Sequence, residues 1–126
     1  MAKKGLENFA STVKSLKSFL AEPIRSERDK AGIIQAFEFT FEQCWKALQQ
    51  EATRQGSKVG SPKGAFSFAM DIGLIPSDEE KIWLEMLEDW NLTSHTYKKE
   101  LADQVLSRIK GQYLSAYESI LNKLMS

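Results

Sequence analysis

The sequence predicts an all-α protein: an antiparallel up-and-down four-helix bundle with one additional short helix. Three observations predict it. Apolar residues recur at three-to-four spacing along most of the chain, the period of a helix with one buried face. The three prolines, Pro23, Pro62 and Pro76, all fall between such stretches, where proline's missing N–H and fixed φ do least harm. No stretch alternates apolar and polar residues long enough to predict a strand.

The elements follow in order. Leu6, Phe9, Val13, Leu16 and Leu20 trace the apolar face of a first helix that Pro23 ends. A long second helix runs from about Glu27 to Arg54, with Ile34, Phe37, Phe41, Trp45 and Leu48 along one stripe. Gly56 is its expected C-cap, because glycine enters the left-handed region cheaply. Ser61-Pro62 reads as N-cap plus first helical residue of a short third helix, which turns Phe66, Ala69 and Met70 inward and ends near Gly73.

Ser77-Asp78-Glu79-Glu80 has the pattern of a capping box, with Ser77 capping and Glu80 reaching back. It is expected to open a fourth helix that carries Ile82, Trp83, Met86, Leu87 and Trp90 on one side. A last helix spans about Lys98 to Leu124, with Leu101, Val105, Ile109, Tyr113, Ala116, Ile120 and Leu124 at core spacing.

Composition narrows the function. The 126 residues read as one domain, 1–126, and 42% hydrophobic content is enough for one core. Seventeen bases balance seventeen acids, so the chain lacks the positive excess of a sequence-blind nucleic-acid binder. One cysteine (Cys44) and one histidine (His95) cannot assemble a structural zinc site, and no metal or other cofactor is expected. A lone cysteine forms no internal disulfide, which fits a reducing cytoplasm. Neither a signal peptide nor a membrane-length apolar run is read in the sequence, so no membrane partner is expected.

One segment looks like a site. Asp89-Trp90-Asn91-Leu92-Thr93-Ser94-His95-Thr96-Tyr97 is polar, holds the only histidine, and is rich in residues that favour caps and turns. A bend or break is expected there. In a straight helix positions 90 and 95 would stand roughly 140° apart and share no face; a bend or a second copy of the chain would be needed to bring them to one cleft.

The run Arg28 to Lys46, Ser61-Pro62, Gly73-Leu74-Ile75, Ile82 to Asp89 and Asn91-Leu92-Thr93-Ser94-His95-Thr96-Tyr97 together resemble the nucleotidyltransferase substrate-binding protein family. That family is the HepT-like branch of the HEPN superfamily, and the resemblance covers nearly the whole chain in order. It implies a helical bundle, a homodimer, and a small nucleotidyltransferase partner encoded nearby, often in a toxin–antitoxin pair. It also implies a metal-independent ribonuclease site of the form R-x4-H, lined by two subunits, and a tyrosine that the partner adenylylates. His95 and Tyr97 match those positions, but the arginine is replaced by Trp90.

The departure matters chemically. RNA cleavage without a metal needs a proton shuttle, which His95 could supply with Asn91 beside it. It also needs a cation against the developing phosphate charge, and an indole cannot replace a guanidinium fork. The expected function is therefore an accessory, substrate-binding subunit of a nucleotidyltransferase. The alternatives are a ribonuclease with an altered site, for which RNA is a possible substrate, or an inactive dimeric scaffold.

Plainer roles stand beside these. His95 reads either as a site residue or as a polar residue at a helix junction; Tyr97 either as a modification site or as packing one turn before Leu101. Trp90 continues an apolar row. Glu38 and Glu42 lie one turn apart, and Phe39 points away from Phe37 and Phe41, which marks these three as possible interface residues. Cys44 on an apolar face reads as core, and Arg28 as a helix-end ion-pair partner.

Overall fold

The computed structural model describes residues 3–95 and 98–126, and their side chains except those of Lys3 and His95. Helix α1 spans Lys3–Ala21, α2 Glu27–Arg54, α3 Pro62–Asp71, α4 Glu80–His95, α5 Lys99–Arg108 and α6 Leu114–Met125. A 3₁₀ turn at Ser77–Glu79 precedes α4, and a π-helical turn at Ile109–Tyr113 joins α5 to α6.

Local chemistry sets most boundaries. Ser26 caps α2 by accepting from Asp29 N at 3.3 Å, and Ser61 caps α3 by accepting from Gly64 N at 3.1 Å, with Pro62 in the first turn as expected. Helices α2 and α3 end the same way. Gly56 (φ 85°) and Gly73 (φ 81°) both turn left-handed. In each case the following residue reaches back to close the helix: Ser57 N to Ala52 O and Leu74 N to Ala69 O, both 2.8 Å. These are two Schellman closures, and only glycine enters them without strain.

The capping box at Ser77 does not form. No side chain caps the turn; Glu79 N instead bonds Pro76 O at 2.9 Å, so a 3₁₀ turn starts the element. The Glu79 carboxylate is drawn one turn on, where it accepts from Trp83 Nε1 at 3.3 Å.

The expected single last helix is continuous but not uniform. A row at i+4 spacing, Val105, Ile109, Tyr113, would drift about 40° per step around a regular α-helix. The π turn, closed by Leu114 N on Ile109 O, takes up the extra residue and brings Tyr113, Ala116, Tyr117 and Ile120 back to the core.

Four long helical runs build the bundle, with α3 laid between α2 and α4. Thr12 meets Thr40, and Gly5 lies against Gln50, so α1 and α2 run antiparallel. Trp90 on Phe41, and Asp89 on Arg108 and Tyr113, bring α4 back antiparallel to both α2 and the last run. The centre is aromatic. Phe37 stacks on Tyr113 at 5.5 Å and 20°, Phe9 meets Tyr117 edge-on at 6.1 Å, and Phe66 packs on Trp83 at 4.9 Å. Thr40, fully buried, satisfies its hydroxyl on Ala36 O at 2.7 Å and Thr12 O at 3.2 Å, tying α1 to α2. Among the described residues there is no strand, and no helix is long and apolar enough to cross a membrane.

Candidate functional site

The motif segment sits at the end of α4, and the packing of that helix decides which of its side chains face out. Trp90 is half-buried and stacks on Phe41, ring centres 4.6 Å apart and planes 17° apart. Asp89 is buried beside it. The bend or break expected in the motif segment comes near its far end, where α4 stops at His95. The chain is extended again at Lys98 (φ −126°, ψ 140°) before α5 starts. Asn91, Thr93 and Ser94 are helical because Asp89 and Trp90 anchor the turn before them. Such anchoring outweighs propensity differences of a few tenths of a kcal/mol per residue. Positions 90 and 95 thus belong to one helix, at the angular separation that keeps them off a common face.

Asp89 is a buried carboxylate that accepts three hydrogen bonds. Its Oδ2 accepts from Arg108 Nε and its Oδ1 from Arg108 Nη2, both at 2.7 Å, in a bidentate pair. Tyr113 O–H donates to Oδ2 at 2.5 Å. The bond to Asp89 raises the Arg108 pKa. Burial, then the bond to the Asp89 carboxylate, pushes the Tyr113 phenol well above its usual range. Glu85 adds a second, more distant carboxylate 3.9 Å from Arg108. The cluster pins the motif-bearing end of α4 to the last helical run, and the π turn presents Tyr113 to it. Sequence reasoning missed this cluster, although a signal was present: Asp89 interrupts the apolar side of α4 between Met86 and Trp90.

The other expected site residues scatter. Asn91 is exposed. The side chain of His95 and all of Tyr97 lie outside the described residues. Glu38 and Glu42 are half-buried on α2, and Glu42 pairs with Lys46 at 3.3 Å. Of the carboxylates near the motif, Asp89 turns inward while Glu85 and Glu88 face solvent, and no group of three or more potential metal ligands occurs among the described residues. Cys44 is fully enclosed and burial pushes its thiol pKa far up, so it stays protonated and unreactive. Arg28 makes no ion pair among the described residues, contrary to the helix-end pairing expected of it.

The turned-out side of α4 carries exposed residues of the motif. Leu84, Glu88, Asn91 and Leu92 all lie on it, with Leu84 46% and Leu92 43% exposed. Exposed leucines flanking a polar motif, with the aromatic residue turned into the core, make a surface suited to a protein partner.

A family model described as nucleotidyltransferase substrate binding protein like matches residues 4–126. No curated protein matches the chain. A protein of Thermus thermophilus, known from its crystal structure, is 34% identical over 100% of both chains and superposes with a TM-score of 0.79.

Proposed function

The chain belongs to the nucleotidyltransferase substrate binding protein-like family, and on that premise we propose that it is the accessory subunit of a small nucleotidyltransferase encoded nearby. In this reading it belongs to the HepT-like branch of the HEPN superfamily and to a two-component system of the toxin–antitoxin kind. It acts as a homodimer in the cytoplasm, and Tyr97 is the residue its partner modifies. The Tyr97 oxygen attacks the α-phosphorus of ATP, pyrophosphate leaves, and the phenolic proton passes to solvent.

The observation that carries the reading is the outer side of α4. Leu84 and Leu92 stand exposed on either side of Asn91, on the helix that ends at His95. A binding face needs such apolar anchors within a polar rim. The ribonuclease reading has less support, because Trp90 is stacked on Phe41 at the position where a guanidinium would be required.

Co-expression with the neighbouring nucleotidyltransferase tests the proposal. A complex should survive size-exclusion chromatography, and Leu84→Arg or Leu92→Arg should weaken it at least tenfold while leaving the helical content unchanged. With ATP present, mass spectrometry should find added AMP that Tyr97→Phe abolishes. Absence of any complex at tens of micromolar would leave an inactive scaffold as the better account.

A further inference from the structure

Along the first half of α2 the outer face carries bases, then a neutral stretch, then acids, of which Glu42 also meets Lys46 of its own chain. Arg25, in the turn before the helix, and Arg28, in its first turn, are exposed bases; Glu38 and Glu42 are acids about three and four turns on from Arg28. Between them lie Ala31, Gly32 and Gln35, small or uncharged. Arg28 and Glu38 take no ion-pair partner among the described residues. Two large apolar side chains also stand open here: Phe39 is 58% exposed and Phe19, on the neighbouring end of α1, 47%. Phe19 lines a cavity of about 250 Å³ whose floor and walls are mostly apolar (Phe19, Ile24, Gly32, Ile33) and whose charged liners are Glu22, Arg28 and Asp29.

Such a face complements itself in one orientation only. Set a second α2 antiparallel against the first, crossing between Gly32 and Gln35. Residue numbers of facing side chains then sum to about 67. Arg28 comes opposite the partner's Glu38, and Arg25 opposite the partner's Glu42. A two-fold axis repeats both pairs, so four ion pairs flank a neutral centre. Packed parallel, the same helices would set base against base and acid against acid. The two-fold also keeps the α1 side of one copy on the α1 side of the other. Phe39 therefore arrives at the partner's Phe19–Ile24–Gly32 cavity. An apolar cavity of ~150 Å³ already accepts a benzene ring, so this one has room for a phenyl group. Gly32 at the crossing lets the two backbones come close.

We propose that this face is the seam of the homodimer: α2 packs antiparallel on the α2 of a second copy, Phe39 enters the partner's Phe19–Ile24–Gly32 cavity, and Arg28 pairs with the partner's Glu38. The proposal deepens the homodimer reading above and rests on it. An isologous seam of this kind needs each patch to complement itself, and here charge order, small residues and the cavity meet that need together.

Sedimentation velocity of charge-reversal variants tests it. Wild type should sediment as a dimer at micromolar concentration. Arg28→Glu alone and Glu38→Arg alone should each weaken dimerisation at least tenfold, since each homodimer then sets like charges face to face. Mixed in equal amounts, the two variants should form a heterodimer, because both of its contacts are again acid on base. Phe39→Arg should give monomers with unchanged helical content by circular dichroism. A wild-type dimer indifferent to Phe39→Arg, or two reversal variants that fail to recover on mixing, would overturn the seam while leaving a dimer. A wild-type monomer throughout would remove the dimer itself, and neither result touches the nucleotidyltransferase reading.

Discussion

Asp89 and Arg108 meet through two bonds of 2.7 Å, one to each carboxylate oxygen, at the point where the motif-bearing end of α4 lies on the last helical run. Arg108 is the exposed member, with a quarter of its side chain in water, while the Asp89 side chain keeps 3%. The pair is half of a buried network whose other half is Tyr113.

Removing Asp89 should therefore unfold the protein more readily than removing its partners. Asp89→Ala strands a guanidinium and a buried phenol. Breaking a buried pair commonly costs ~3–5 kcal/mol, and the exposure of Arg108 reduces that to ~2–3 kcal/mol. Tyr113→Phe loses one hydrogen bond to a charged group, ~1.5 kcal/mol. Urea unfolding should show the two effects to be less than additive in the double variant, and additivity would mean that the groups act independently.

Stability should fall in alkali. Cys44, Tyr113 and Tyr117 all have folded pKa values raised by burial. Above the unfolded values, 9.0 for the thiol and 10.0 for the phenols, the unfolded chain gives up protons that the native chain keeps. The native state then binds more protons, so unfolding becomes easier as pH rises. The contribution is intact below pH 9 and is lost progressively above it, at up to ~1.4 kcal/mol per pH unit for each group. Urea midpoints between pH 8 and 10.5 should show the decline, with Cys44→Ala removing its earliest part. A flat profile would contradict the burial of these groups.

Two glycines should be irreplaceable and another free. Gly56→Ala and Gly73→Ala force a Cβ into the left-handed region and should each cost ~1–2 kcal/mol. An added Cβ at Gly111 meets nothing within 4 Å, and Gly111→Ala should be neutral or stabilising by up to ~1 kcal/mol. Thermal denaturation distinguishes the cases.

The purified protein should cleave RNA poorly or not at all. Trp90→Arg would supply the missing cation, at the expense of the Phe41 stack, worth ~0.5–1.5 kcal/mol beyond the buried area. Cleavage that appears in Trp90→Arg and disappears in Trp90→Arg, His95→Ala would revive the nuclease reading. Strong wild-type cleavage that survives His95→Ala would place the chemistry elsewhere in the chain.

By itself the sequence determined the architecture, because the signals for it are local. The span of α2, Ser61-Pro62 at the start of α3 and the glycine closures at 56 and 73 rest on periodicity and on backbone conformations that few residues adopt. The motif from Asn91 to Tyr97 was likewise visible as a string of letters. Which motif side chains face inward was decided only by tertiary structure. Thr93 and Ser94 read as turn formers, yet they are helical because Phe41 holds Trp90 and the last helical run holds Asp89, partners 49 and 19 residues away in the chain. The capping box at Ser77 did not form either: a 3₁₀ turn closed by Glu79 N on Pro76 O stands in its place. The π turn, which sets Tyr113 on Asp89, answers a drift in register that only the packed core can penalise. Local propensities amount to tenths of a kcal/mol per residue, whereas breaking a buried ion pair costs several and an aromatic stack adds ~0.5–1.5 kcal/mol beyond its buried area. Where the two disagree, the contact made across the fold prevails.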